Sequence, residues 1–128
     1  MSQKVLLVED DMGIADLYIR ALGKNGYEII HAPDGETGIE LATQKNPDLI
    51  LLDIMLPKKQ GLTVLKELRE VEALGTVKIY MLSALNDPLM RSQANNLGAN
   101  GYIAKYTVDP PQKLVEIVKD IFDNKPIE

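Results

Sequence analysis

Cysteine is missing from this chain of 128 residues, and histidine occurs once. Without a thiol there can be no disulfide framework, no thiolate zinc site and no cysteine nucleophile. A lone histidine excludes most histidine-based metal sites. No stretch approaches the ~18 apolar residues of a membrane span, and the opening MSQKVLLVEDD carries too short an apolar run for a signal peptide. Basic residues are outnumbered, 14 against 19 acidic for a net charge of −5, and no basic run is longer than Lys58-Lys59. The chain therefore lacks the basic face of a nucleic-acid binder. What is present is an ordinary globular mixture, 45% apolar and 26% charged, which excludes disorder. The length predicts one domain over residues 1–128, soluble and cytoplasmic, with no direct contact to nucleic acid or membrane.

Short apolar runs rich in Val and Ile alternate with longer segments of helical period. The runs are Val5–Val8, Tyr27–His31, Leu49–Leu52, Val77–Leu82 and Gly101–Ala104. Their spacing leaves room for one strand, one helix and two loops each time, which predicts five βα units and a parallel sheet with helices on both faces. The stretch DLILLDIML is apolar at consecutive positions, as expected of a central strand buried on both sides. Leu114, Ile117, Val118, Ile121 and Phe122 form a helical stripe, and Ile14, Tyr18, Ala21 and Leu22 form another. Gly26, Gly75 and Gly98 fall where helices should stop. Pro33, Pro47 and Pro110 fall in loops or helix starts.

In an open parallel sheet, ligands bind at the carboxyl ends of the strands. Glu9, Asp10 and Asp11 follow the first run, Asp53 the third, Ser83 the fourth and Lys105 the fifth. Each has a commonplace reading alone, and Asp11 is assigned to one, as the cap of the first helix. Clustered carboxylates repel, and such a cluster usually persists because a cation neutralises it. The donors are hard oxygens, which favours Mg²⁺. The first βα turn is acidic where a Rossmann or P-loop protein has glycines, so it is not built to cradle nucleotide phosphate. His31 is expected at a strand end or on the surface, away from the acids. The five methionines make no stripe and are expected to pack ordinarily.

Glu9, Asp10, Asp53, Ser83 and Lys105, in that order at successive strand ends, resemble the receiver domain of two-component response regulators. The most specific stretch runs from Asp53 through Pro57 to Gly61, with Leu97–Lys105 as a second match. The resemblance implies a flavodoxin-like, doubly wound α/β fold, a five-stranded parallel sheet of order 2-1-3-4-5 with five helices. It implies that Asp53 takes a phosphoryl group from a phosphohistidine on a sensor histidine kinase or histidine phosphotransfer protein. Mg²⁺ would be held by Asp10, Asp53 and the backbone carbonyl of Met55, with Glu9 acting through water. Lys105 and Ser83 would contact the phosphoryl oxygens. Ser83 and Tyr102 would form the switch, read out on the fourth helix, fifth strand and fifth helix by a downstream protein target or effector domain. In the family a cis-proline usually follows the lysine; here Tyr106 follows Lys105, and the bond is expected to be trans. Met55 and Leu85, two beyond Asp53 and Ser83, are expected to border the approach of hydrolytic water.

Other readings are weaker. A haloacid dehalogenase-type phosphatase has an acid two residues beyond its nucleophile, where this chain has Met55. A degenerate receiver would lack some of the five site residues. The chain could be a stand-alone regulator of the chemotaxis kind, or a receiver from a longer DNA-binding regulator or hybrid kinase.

Overall fold

Five strands alternate with five helices in the computed structural model, which describes residues 2–84 and 87–127. The order is β1 (Lys4–Val8), α1 (Met12–Lys24), β2 (Glu28–Ala32), α2 (Gly35–Lys45), β3 (Leu49–Asp53), α3 (Gly61–Glu70), β4 (Lys78–Ser83), α4 (Pro88–Asn96), β5 (Gly101–Ala104) and α5 (Gln112–Phe122). Short 3-10 turns at Glu72–Leu74 and Lys105–Thr107 complete it. The strands form one parallel sheet in the order β2-β1-β3-β4-β5. The predicted architecture is therefore the one found.

Strand periodicity divides the core in two. Leu6, Val8, Ile50, Leu52, Ile79 and Met81 point to one face, where α2, α3 and α4 cover them with Ala42, Val64, Leu65, Leu68 and Ala94. The alternate residues Val5, Leu7, Leu49, Leu51, Leu82 and Ile103 point to the other, against Tyr18 and Leu22 of α1 and Leu114, Val118 and Ile121 of α5. Every residue of β3 is buried, because both its faces and both its edges are covered. Each fully buried Leu or Ile contributes roughly 1.5–3 kcal/mol.

Aspartates start three of the helices. Asp11 accepts from Ile14 N–H at 3.0 Å, Asp34 from Thr37 N–H at 2.8 Å and Asp87 from Leu89 N–H at 2.9 Å. Each satisfies an orphan amide and meets the positive end of the helix dipole. These caps fix where the chain turns after β1 and β2 and before α4. The Lys105–Tyr106 segment is a 3-10 turn, and the cis peptide bond found among the described residues is Asp109–Pro110.

Candidate functional site

Backbone register brings the polar strand ends together. Val8 pairs with Leu52, so Glu9 and Asp53, each one residue further on, lie side by side on adjacent strands. Asp53 pairs with Leu82 and Ser83 with Ala104, which puts Ser83 and Lys105 at the same edge. Lys105 Nζ lies 2.9 Å from Asp53 Oδ2 and 2.5 Å from Glu9 Oε1. The other carboxylate oxygens are also used: Glu9 Oε2 accepts from Asp11 N–H at 3.1 Å and Asp53 Oδ1 from Met55 N–H at 2.9 Å. Glu9 and Asp53 are only 1% and 3% exposed, whereas Asp10 faces solvent.

Gly61 explains the shape of the loop after β3. Its N–H donates to Ile54 O at 2.9 Å, and a Cβ there would stand 2.1 Å from Asp53 O. The chain folds back on Asp53 too closely for any side chain. Lys59 ties the same loop to both flanking helices, through Glu36 Oε1 and Glu67 Oε1 at 2.9 and 3.1 Å.

Burial pushes the Glu9 carboxyl above its ordinary range, and the Asp53 charge adds to this; Lys105 and the Asp11 amide oppose it. For Lys105, burial pulls the ammonium down, but its bonds to Glu9 and Asp53 outweigh that and hold it above an ordinary lysine. With every group ionised, one ammonium offsets one of the three carboxylates of Glu9, Asp10 and Asp53 and leaves two negative charges. Those acids each offer an oxygen, and the three oxygens lie within 4.8 Å of one another. Hard oxygens and a double negative charge fit a divalent cation of the Mg²⁺ or Mn²⁺ kind.

Comparison with known proteins agrees with this geometry. The profile of the response regulator receiver domain matches residues 5–119. The chain belongs to the response regulator receiver domain family. Over 100 residues this receiver is 43% identical to the uncharacterized transcriptional regulatory protein YcbL of Bacillus subtilis strain 168, an alignment covering 78% of this chain and 43% of YcbL. It is 33% identical to the BeF3-activated N-terminal receiver domain of RstA from Klebsiella pneumoniae, with a TM-score of 0.82 over 91% of this chain and 96% of that one. The Mn(2+)-bound form of the response regulator Rcp1 matches at 26% identity, with a TM-score of 0.81 over 94% of each chain. The chain spans less than half the length of the curated relatives it matches.

Elsewhere the receiver carries features of its own. Ser83 is fully buried, and Tyr102 of β5 points to the same sheet face, half-buried beside α4. The Arg91 guanidinium of α4 lies over the Tyr102 ring, 4.7 Å from its centroid. This cation–π contact was not legible in the sequence, because α4 approaches β5 only in the tertiary fold.

Two expectations need correction. His31 is not remote from the acids: its Nε2 lies 2.8 Å from the Glu9 carbonyl, because β2 is the direct neighbour of β1. The sheet order itself was the available signal. Lys105 relieves part of the repulsion between the carboxylates from within the chain, which is compatible with the expected cation. Met12 and Met55 do not pack ordinarily but stand 62% and 52% exposed, while Met81 is buried as expected. Met55 adjoins the site through its N–H, and Leu85 lies outside the described residues.

Proposed function

We propose that Asp53 is the phosphoacceptor of this receiver and that its Oδ attacks the phosphorus of a phosphohistidine on a kinase or histidine phosphotransfer protein. A P–O bond forms, the P–N bond breaks, and the imidazole keeps the electron pair and takes up a proton. The supporting observation is the placement of Asp53: buried at the end of the central strand, bonded to Lys105, with Glu9 and Asp10 within reach of a shared cation.

Asp10 and Asp53 would hold Mg²⁺, with the Met55 carbonyl as a further ligand and Glu9 acting through water. When bound, the cation supplies positive charge to the phosphoryl oxygens. Lys105, bonded to Asp53 Oδ2, would exchange it for a phosphoryl oxygen, which would keep its charge paired throughout. The Ser83 hydroxyl would donate to another oxygen. Its movement would vacate space on the face that Tyr102 shares, and Tyr102 would turn inward, shifting the population of two states. The domain acts in this reading on itself and on its partners, in the cytoplasm, without turning over a free substrate. Among the described residues, no helix is long and apolar enough to cross a membrane.

Two settings fit. The chain could work as residues 1–128 alone, through protein contact. The matched relatives are named transcriptional regulators and extend well beyond the matched region, which favours an effector domain as the immediate downstream partner. Incubation with acetyl phosphate and Mg²⁺ should add one phosphoryl group to the parent and none to Asp53→Asn. Equal incorporation in the two would overturn the assignment.

A further inference from the structure

We propose that His31 is a positioning residue for the cation site, clamping the peptide from which Asp10 projects. This inference rests on the reading of Glu9, Asp10 and Asp53 as the Mg²⁺ site.

A carbonyl oxygen only accepts, so the 2.8 Å contact from His31 Nε2 to Glu9 O is an N–H donated by the ring. The neutral Nε2–H tautomer and the imidazolium both supply that proton, so the clamp does not depend on the charge of the ring. The Glu9 carbonyl and the Asp10 amide belong to one planar peptide unit, and holding its oxygen fixes the plane. The preceding peptide is held as well, because Glu9 N–H donates to Ala32 O at 3.0 Å. β2 thus grips Glu9 from both sides, once through its backbone and once through the His31 ring.

Beyond Asp10, the Asp11 N–H is tied to Glu9 Oε2 at 3.1 Å and the Asp11 side chain caps α1. Asp10 itself is exposed. Its direction is set by its neighbours' backbone ties, and among the described residues His31 supplies one that comes from a side chain of another strand. A half-buried histidine satisfying a carbonyl could be doing no more than that. The two roles differ in what they touch: satisfaction alone affects folding, whereas positioning affects the affinity of the acids for a cation. Removing groups that orient metal ligands typically weakens affinity 10- to 100-fold.

The test is a Mg²⁺ titration followed by backbone amide shifts of Glu9–Asp11 and Asp53–Met55, which reads binding without phosphorylation. His31→Leu should weaken Mg²⁺ binding about 10-fold. His31→Gln, whose amide nitrogen reaches about as far as Nε2, should stay within about 3-fold of the parent by restoring the hydrogen bond. If the leucine variant does not fold, His31→Asn, too short to reach Glu9 O, should show the same loss. Parent-like affinity in the leucine or asparagine variant, or an equal loss in the glutamine variant, would overturn the clamp. A parent that binds no Mg²⁺ at these amides would overturn the cation site and the clamp together, and that result is distinguishable from failure of the clamp alone.

Discussion

Lys105 stands 2.9 Å from Asp53 Oδ2, across a sequence distance of 52 residues, with the aspartate buried and 15% of the lysine side chain exposed. The same ammonium holds Glu9, so one cation stabilises two buried carboxylates. Replacing Lys105 with Met leaves both uncompensated. Breaking a buried pair in this way costs about 3–5 kcal/mol, and the metal-free variant should melt well below the parent at pH 7.

The pH dependence of that variant follows from Glu9. Its folded pKa is already raised, so the folded state binds a proton more readily than the unfolded one, and stability falls as pH rises from the ordinary carboxylate range through the folded value. Loss of Lys105 raises that value further and widens the window. Lys105→Met should therefore regain stability when pH falls from 7 to 5, by more than the parent does. Thermal unfolding at both pH values checks this, and parallel curves would mean that Lys105 does not compensate Glu9.

Asp10 offers the opposite case. It is exposed and outside the Lys105 bridge, so Asp10→Asn should change the metal-free stability by no more than ~0.5 kcal/mol, as surface changes do, and on the stabilising side, because a charge that repels Glu9 and Asp53 is removed. The stabilisation that Mg²⁺ gives the parent should nevertheless be largely lost, because ligand-linked stability follows affinity. Melting each protein with and without Mg²⁺ separates the two effects.

Gly61 has no room for a methyl group. Gly61→Ala must move Asp53 O or the Ile54 backbone, so it should cost roughly 1–3 kcal/mol and disturb Asp53 as well. Unfolding in urea and the amide shift of Met55, whose N–H binds Asp53 Oδ1, report the two parts.

The Arg91–Tyr102 contact joins the tyrosine of β5 to α4. An exposed cation–π pair is worth about 0.5–1 kcal/mol. Arg91→Ala should accordingly shift a two-state Tyr102 equilibrium inward by about 2- to 5-fold, read from the exchange-averaged shifts of the Tyr102 ring. An unchanged ring environment would show that the arginine does not bias the proposed switch.

Much of this receiver was legible from residue order because its elements are strongly patterned. β3 was readable from an apolar run with no polar face, and α5 from Leu114, Val118 and Ile121 at helical spacing. Some ends moved by a residue: β1 begins at half-buried Lys4, whose side chain can reach out of the sheet, and β4 runs from Lys78 to Ser83, one residue later at each end than its apolar run. Tyr27 leaves β2 to stack on Phe122, with centroids 5.6 Å apart. That Glu9, Asp53, Ser83 and Lys105 share one edge was readable because the carboxyl ends of parallel strands lie on the same side of the sheet. The internal pairing was not, since the Lys105 bridge and the His31 contact depend on register and on side-chain reach across strands distant in sequence.

Asp53 is the proposed carrier of the phosphoryl group, and chemical location of that group tests the assignment most directly. Borohydride reduces an aspartyl phosphate to homoserine, which marks its own position in a peptide map. After reaction with acetyl phosphate and Mg²⁺, homoserine should appear at position 53, with Asp10 and Asp11 intact. Homoserine at either of those residues, or none after demonstrated phosphoryl uptake, would contradict the account.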